Sequence, residues 1–141
     1  MGQTKVIPVV VDTNVIVSAL LFAGTPGRLI DLWKEKRIQL FVCKEMIDEI
    51  MRVLAYPRFQ LTEKEIDYLL YVEILPYSEI VDIPSGPVII SRDPSDDKFI
   101  RCAKVAEADV IVSGDRHLLS LKEHEGIKIL TPAQFLSNLQ P

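Results

Sequence analysis

Asp12, Glu49, Asp97 and Asp115 are the residues of this 141-residue chain best placed to do chemistry. Asp12 follows the apolar run Val9 to Val11, and Asp115 follows the run VIVSG from Val110 to Gly114. Both runs read as buried strands. In an open parallel sheet, ligands bind outside the carboxyl ends of the strands, so an acid there faces a crevice and not the core. Glu49 sits at the edge of a helical apolar stripe, beside Met46 and Val53, whereas Glu45 lies mid-way round the polar face. Asp97 belongs to the run RDPSDDK, which also holds Asp93 and Asp96. Carboxylates gathered in one crevice repel one another unless a proton or a cation intervenes. A hard divalent ion with oxygen ligands meets that need near neutral pH.

Each acid also has a plainer role. Asp12 and Asp115 stand where an Asp caps a helix, and Asp93, just before Pro94, fits the same position. Asp96 and Asp97 fall in a first helical turn, where the helix dipole favours negative charge. Glu49 can pair on the surface with Arg52 or Lys44. Asn14 and Ser113, each two residues from a strand-end acid, are candidates to orient a carboxylate, a ligand or a water. Asp97 shares a helical side with Ile100, Arg101 and Lys104, a row offering an acid followed by cations that could contact phosphate.

The elements that must position these residues alternate between short β-rich runs and longer helical stretches, which argues for α/β with a parallel sheet. Val6 to Val11, Ile38 to Val42, Glu79 to Ile83, Asp109 to Ser113 and Lys128 to Leu130 read as strands. Thr13 to Phe22 is apolar with helical spacing. Thr25 as cap and Pro26 at the first position open a helix to about Lys36. Lys44 to Ala55 is amphipathic, with Met46, Ile47, Ile50, Val53 and Leu54 inward. Thr62 with Glu65 is a capping box opening a helix through about Leu75. Asp93-Pro94 opens a helix to about Glu107, Arg116 to Leu121 is a short one, and Thr131-Pro132 caps the last.

Composition narrows the function classes. A 48% hydrophobic fraction is enough for a sizeable core, yet no apolar stretch approaches bilayer length. With neither a signal-like segment nor a complete myristoylation pattern, the expected compartment is the cytoplasm and no membrane partner is expected. Cys43 and Cys102 lie in apolar patterns and read as buried free thiols. His117 and His124 have no partner at zinc-ligand spacing. The net charge of −4 means that any nucleic-acid contact must be local, through small Lys/Arg groups or bound cations.

Taken together, the segments VVVDTNVIVSALL, EMIDEIMRVL, RDPSDDKFIRCA and ADVIVSGDRHLLSL resemble the PIN-domain family. The closing ILTPAQFL resembles its VapC-like branch, toxins of toxin–antitoxin systems. The resemblance runs from Val6 to Leu136. It implies one PIN-like domain over residues 1–141, with a central parallel sheet of about five strands flanked by helices. It also implies a Mg2+- or Mn2+-dependent endoribonuclease that hydrolyses RNA phosphodiester bonds by metal-activated water. Asp12, Glu49, Asp97 and Asp115 match the family's metal-binding acids, and Asn14 and Ser113 its polar supports. Some members carry a further acid after the fourth, where this chain has His117 and Leu118. A second ion would then be weakly held, unless Asp93 or Asp96 compensates. Two alternatives stand beside the nuclease. One is a catalytically weak PIN-like partner-binding protein. The other is a haloacid-dehalogenase-like phosphatase, against which Asn14 counts, since that class carries a second Asp there. The helix from Thr62 carries Tyr68, Tyr71 and Val72 beyond its apolar face of Ile66, Leu69, Leu70 and Ile74. A homodimer through this face, with an antitoxin protein as a further partner, is the expectation.

Overall fold

Val9, Val10 and Val11 lie at 0%, 0% and 1% exposure, because the strand that holds them is covered on both faces. That strand is β1 (Ile7–Val11) in a computed structural model that describes residues 5–84 and 94–139. The chain continues through α1 (Thr13–Leu21), α2 (Arg28–Lys34), β2 (Ile38–Val42), α3 (Lys44–Leu54) and α4 (Glu63–Tyr68). It then passes β3 (Ser78–Ile80), α5 (Asp97–Ala106), β4 (Val110–Val112) and α6 (Arg116–Leu119). The last elements are β5 (Glu123–His124), β6 (Ile127–Leu130) and α7 (Pro132–Leu139). The six strands lie in the order β3-β2-β1-β4-β6-β5. All neighbours are parallel except β5, which runs antiparallel to β6.

The α/β class and the parallel sheet match the expectation from sequence, and β5 is the strand it did not contain. The β5–β6 hairpin turns on Glu125 and Gly126, at φ 49° and 85°. Positive φ at both central residues is the geometry of the tight hairpin turn whose usual first residue is Asn, Asp or Gly. A Glu there hides the signal. Lys104 on α5 steadies this turn through an ion pair to Glu125 at 2.9 Å.

Period-2 alternation divides the sheet between two cores. Val9 and Val11 face α1, α2, the segment after α4, and α7. Val10 and Ile111 face α5 and α6. Residues of α3 enter both cores, Ile50 and Leu54 the first and Met46 the second. α3 therefore bridges α1 and α5, against both of which it packs. Each fully buried aliphatic side chain contributes about 1.5–3 kcal/mol, so the sheet valines hold the strand ends firmly. Cys43 and Cys102 are buried free thiols, as expected, and share a hydrogen bond between the start of α3 and α5.

Three helix starts were tested by the structure. The Thr62–Glu65 capping box is present. Its helix changes pitch to a π winding over Leu69–Ile74, anchored where Trp33 Nε1 donates to the Glu73 carbonyl at 3.1 Å. Thr131 and Gln134 bond reciprocally at the start of α7, at 2.9 and 3.1 Å. Thr25 does not cap. Thr25–Gly27 is a 3-10 turn entered through Gly24 at φ 131°, and α2 begins only at Arg28. Gly24 supplies the unusual backbone angle, so the turn forms without a side-chain acceptor.

Candidate active site

The strand order reverses between β1 and β4, the topological switch point where open α/β sheets bind ligands. Val11 is in register with Val112, and Asp12 N donates to the Val112 carbonyl at 2.9 Å. Asp12 and Ser113 therefore leave the sheet side by side. The two roles foreseen for Asp12 coincide. Its Oδ1 caps α1 by accepting from Val15 N at 2.9 Å. Its Oδ2 accepts from the Ser113 hydroxyl and from Gly114 N, the latter at 3.3 Å. Burial, at 4% exposure, raises the carboxyl above its ordinary pKa. The three bonds pull the other way, and the neighbouring charge of Asp115 adds to the rise. Desolvation outweighs the hydrogen bonds, which leaves a carboxylate that a cation would stabilise.

Asp115 also caps, taking His117 N at 2.7 Å and Leu118 N at 3.3 Å on Oδ1. Ser113, fully buried, joins the two acids. Its hydroxyl oxygen accepts from Asp115 N at 2.9 Å while donating to Asp12. Asn14 has an exposed side chain that lines the surface grooves, and Asp12 accepts its bonds from Val15, Ser113 and Gly114.

Glu49 reaches the same end of the sheet because α3 spans from α1 to α5. Its Oε1 accepts from the Thr13 hydroxyl and lies 3.3 Å from Lys98 Nζ, while Arg52 stands 3.8 Å from Oε2. The alternative of a pairing with Arg52 is therefore present, but it is the looser contact. Thr13 adjoins Asp12 and Lys98 adjoins Asp97, so one string of contacts connects the first three acids. Neither Thr13 nor Lys98 stood out in the sequence. Lys98 also donates to the Ser95 carbonyl and lies 4.5 Å above the Phe99 ring.

Asp97 and Asp96 are buried, at 4% and 6% exposure. Pro94–Asp96 forms a 3-10 turn, so α5 starts at Asp97, and Asp96 holds the N-cap position without a side-chain cap bond. Asp93, the cap expected from sequence, lies outside the described residues. The row behind Asp97 is corrected too. Lys104 lies seven residues along α5, about 10 Å from its start, and is committed to Glu125. Lys98, at 3.3 Å, makes the closer ion pair with Glu49.

Among the described residues, no three carboxylates converge closely enough to hold one ion. The donor set is nevertheless all oxygen, which fits Mg2+ or Mn2+. Asp12 and Asp115 already feel one another's charge, and Glu49 would join them by leaving Lys98. Asp97→Asn is expected to cost most of the metal response yet little stability, since Asn keeps the shape and removes a buried charge. Melting curves with and without Mn2+ check this. A variant that unfolds but still responds to Mn2+ would assign Asp97 to the scaffold.

The model of the PIN-domain family matches residues 8–117. An uncharacterised protein of Methanocaldococcus jannaschii, MJ1680, is 29% identical over 145 residues, covering 95% of this chain and 92% of the relative. PAE2754 from Pyrobaculum aerophilum superposes with a TM-score of 0.56 at 14% identity, over 96% of this chain and 97% of that one. The PIN domain endonuclease Utp24 superposes at 0.54 with 16% identity, over 88% of this chain and 84% of its own. The structural neighbours share the fold, and the family match spans β1 to α6 with Asp12, Glu49, Asp97 and Asp115 all inside it: this chain belongs to the PIN-domain family.

Proposed function

We propose that this PIN domain is a Mg2+- or Mn2+-dependent endoribonuclease that hydrolyses RNA phosphodiester bonds. PIN domains are usually nucleases, and the neighbour Utp24 is titled an endonuclease. The observation that carries the proposal is the buried Asp12 carboxylate at the switch point, held by three donors with Asp115 beside it. Asp12, Glu49, Asp97 and Asp115 would hold the ion. When bound, it supplies the positive charge that lets an acidic site accept a phosphate and the acidity that makes water a nucleophile. The chain's own part is positional. Ser113 and two backbone amides keep Asp12 from turning, Asp115 is fixed by two helix amides, and Thr13 orients Glu49. Labelled RNA should be cut with Mn2+ and spared with chelator. RNA that survives in Mn2+, or is cut equally in chelator, overturns the proposal.

The Lys98–Glu49 pair favours a second reading, a partner-binding PIN-like protein of weak activity, because a lysine already neutralises one acid. The phosphatase alternative rests on Asp12 alone, since Asn14 stands where that class carries a second Asp.

The role as toxin of a toxin–antitoxin pair rests on the resemblance of ILTPAQFL, and an antitoxin protein remains the proposed partner. The cytoplasm remains the proposed compartment. No single helix among the described residues is long and apolar enough to cross a membrane. A homodimer is proposed through Tyr68, Tyr71 and Val72, exposed at 55%, 58% and 46%. Leu70, expected on that face, is 1% exposed and belongs to the core, so a glutamate there would test folding and not association. Tyr68→Glu with Tyr71→Glu is the informative pair. Like charges doubled across a two-fold contact should convert a dimer to a monomer in light scattering at micromolar concentration. A wild type that is monomeric at every concentration rejects the dimer alone.

A further inference from the structure

We propose that the groove at the end of α1, lined by Phe22, Arg58 and Phe59, is a subsite that holds one unstacked nucleobase of an RNA strand lying along the trough to Asp115. This rests on the ribonuclease proposal and adds to it a base-binding subsite away from the cut. Two grooves adjoin along α1 and share Asn14 and Ser18. The nearer, about 550 Å³, is lined by Gly114, Asp115 and Arg116 at the carboxylate end. The farther, about 760 Å³, is lined by Phe22, Arg58 and Phe59 among others. Asn14 and Ser18 lie about one turn apart on α1, and Phe22 is its C-cap in extended conformation, so the trough follows α1 from its first turn to its end. That length accommodates a short stretch of single strand.

The far groove has the chemistry of a base platform. Phe22 is 56% exposed although large and apolar. Its ring centroid lies 6.1 Å from that of Phe59 with the planes tilted by 55°, an open wedge and not a closed stack. The Arg58 guanidinium lies 4.8 Å over the Phe59 ring and 5.7 Å from that of Tyr56. Aromatic faces with a stacked arginine bind bases of any sequence, because every base has a π-face. No acid lines this groove among the described residues, although the chain carries −4 overall. Arg58 and Arg116 thus place a cation at either end of a path that reaches Asp115. An apolar peptide would also fill the wedge, but it would have no use for a path that continues to Asp115.

The test uses the full chain with Mn2+ and an RNA oligonucleotide, together with copies carrying one abasic nucleotide at each successive position. One abasic position a few nucleotides from the cut should raise KM about 10-fold, as loss of one stacked base does, with kcat within twofold. Phe22→Ala and Arg58→Ala should raise KM on intact RNA by a similar factor and be indifferent to that abasic position. Both side chains are exposed, so folding is spared, and circular dichroism checks it. Uniform kinetics across all abasic copies would overturn the proposal and leave the nuclease standing. So would variants whose RNA kinetics are unchanged but whose oligomeric state shifts, which would assign the wedge to a protein partner. If the wild type cuts no RNA, the nuclease proposal has failed. Anisotropy with the same labelled oligonucleotides then decides the trough: affinity lost at one abasic position and in Phe22→Ala supports it, and affinity indifferent to both overturns it.

Discussion

Asp12→Asn is expected to abolish RNA cleavage and, in the same protein, to raise the melting temperature. Replacing a residue that merely orients a metal ligand costs 10–100-fold in affinity or activity, so losing the ligand charge itself should cost at least about 100-fold in turnover. The stability effect has the opposite sign because Asp12 is buried and its pKa is raised, first by desolvation. The folded protein binds that proton more readily than the unfolded chain does. Asp12 therefore favours folding fully below the ordinary carboxylate pKa, and that contribution is lost as pH rises through its elevated folded value. In chelator, the group opposes folding wherever it is ionised. Asn cannot ionise, and it still caps α1 through its oxygen. Its amide no longer accepts the long 3.3 Å bond from Gly114 N, and the Ser113 hydroxyl must turn to accept from it. The variant should melt higher than wild type above the elevated folded pKa of Asp12. The gap should close in acid, where wild-type Asp12 is protonated. Mn2+ should raise the melting temperature of the wild type and leave the variant where it is. An Asp12→Asn protein that cleaves RNA normally, or that melts far below wild type at neutral pH, would remove Asp12 from the centre of the site.

The parts of this site legible from sequence are those that depend on one element at a time. An apolar run followed by an acid marks a strand end in a parallel sheet, and VVVD and VIVSGD both lead to the switch point. Ser113 was visible for the same reason, being the first residue past β4. Asp12 and Asp115 proved to be caps as well as candidate ligands. The bland and the chemical roles were never exclusive, since a carboxylate has two oxygens and a cap uses one.

What was not legible depends on two elements meeting. Thr13 and Glu49 are 36 residues apart, and only the packing of α3 between α1 and α5 makes them neighbours. Lys98 faced the same obstacle, because it lies off the row Asp97, Ile100, Arg101, Lys104 and meets Glu49 across from α3. Periodicity finds residues that share a side of a helix, but not how far along the axis a site extends. The helical segment opens at Pro94 as a 3-10 turn that runs into α5 at Asp97, a change of pitch that a helix-opening Pro does not announce. The Phe22–Phe59–Arg58 wedge joins the end of α1 to the 3-10 turn Pro57–Phe59, and no periodicity relates those segments.

Lys98→Gln should make the metal-free protein less stable and the metal-bound protein tighter. In the absence of metal, the Lys98 ammonium is the counter-charge of Glu49 at 3.3 Å. The two side chains are only 14% and 21% exposed, so solvent screens them less than a surface pair. Removing one partner should cost about 1–2 kcal/mol, between the values for exposed and fully buried pairs. Arg52 at 3.8 Å, with its side chain 64% exposed, cannot replace it fully. A divalent ion would compete with Lys98 for the same carboxylate. With the lysine gone, the site keeps its four acids and loses the competing charge, so the Mn2+ dissociation constant should fall about 10-fold, the effect of a unit charge a few ångströms away in a partly screened site. Gln is one atom shorter but keeps an uncharged N–H donor for the Ser95 carbonyl, which separates the charge from the bond. Thermal melts in chelator and a Mn2+ titration by calorimetry measure the two effects independently. Weaker Mn2+ binding by Lys98→Gln would make Lys98 a support that holds Glu49 for the metal. Unchanged values in both experiments would leave the pair a surface contact and return Glu49 to that role as well.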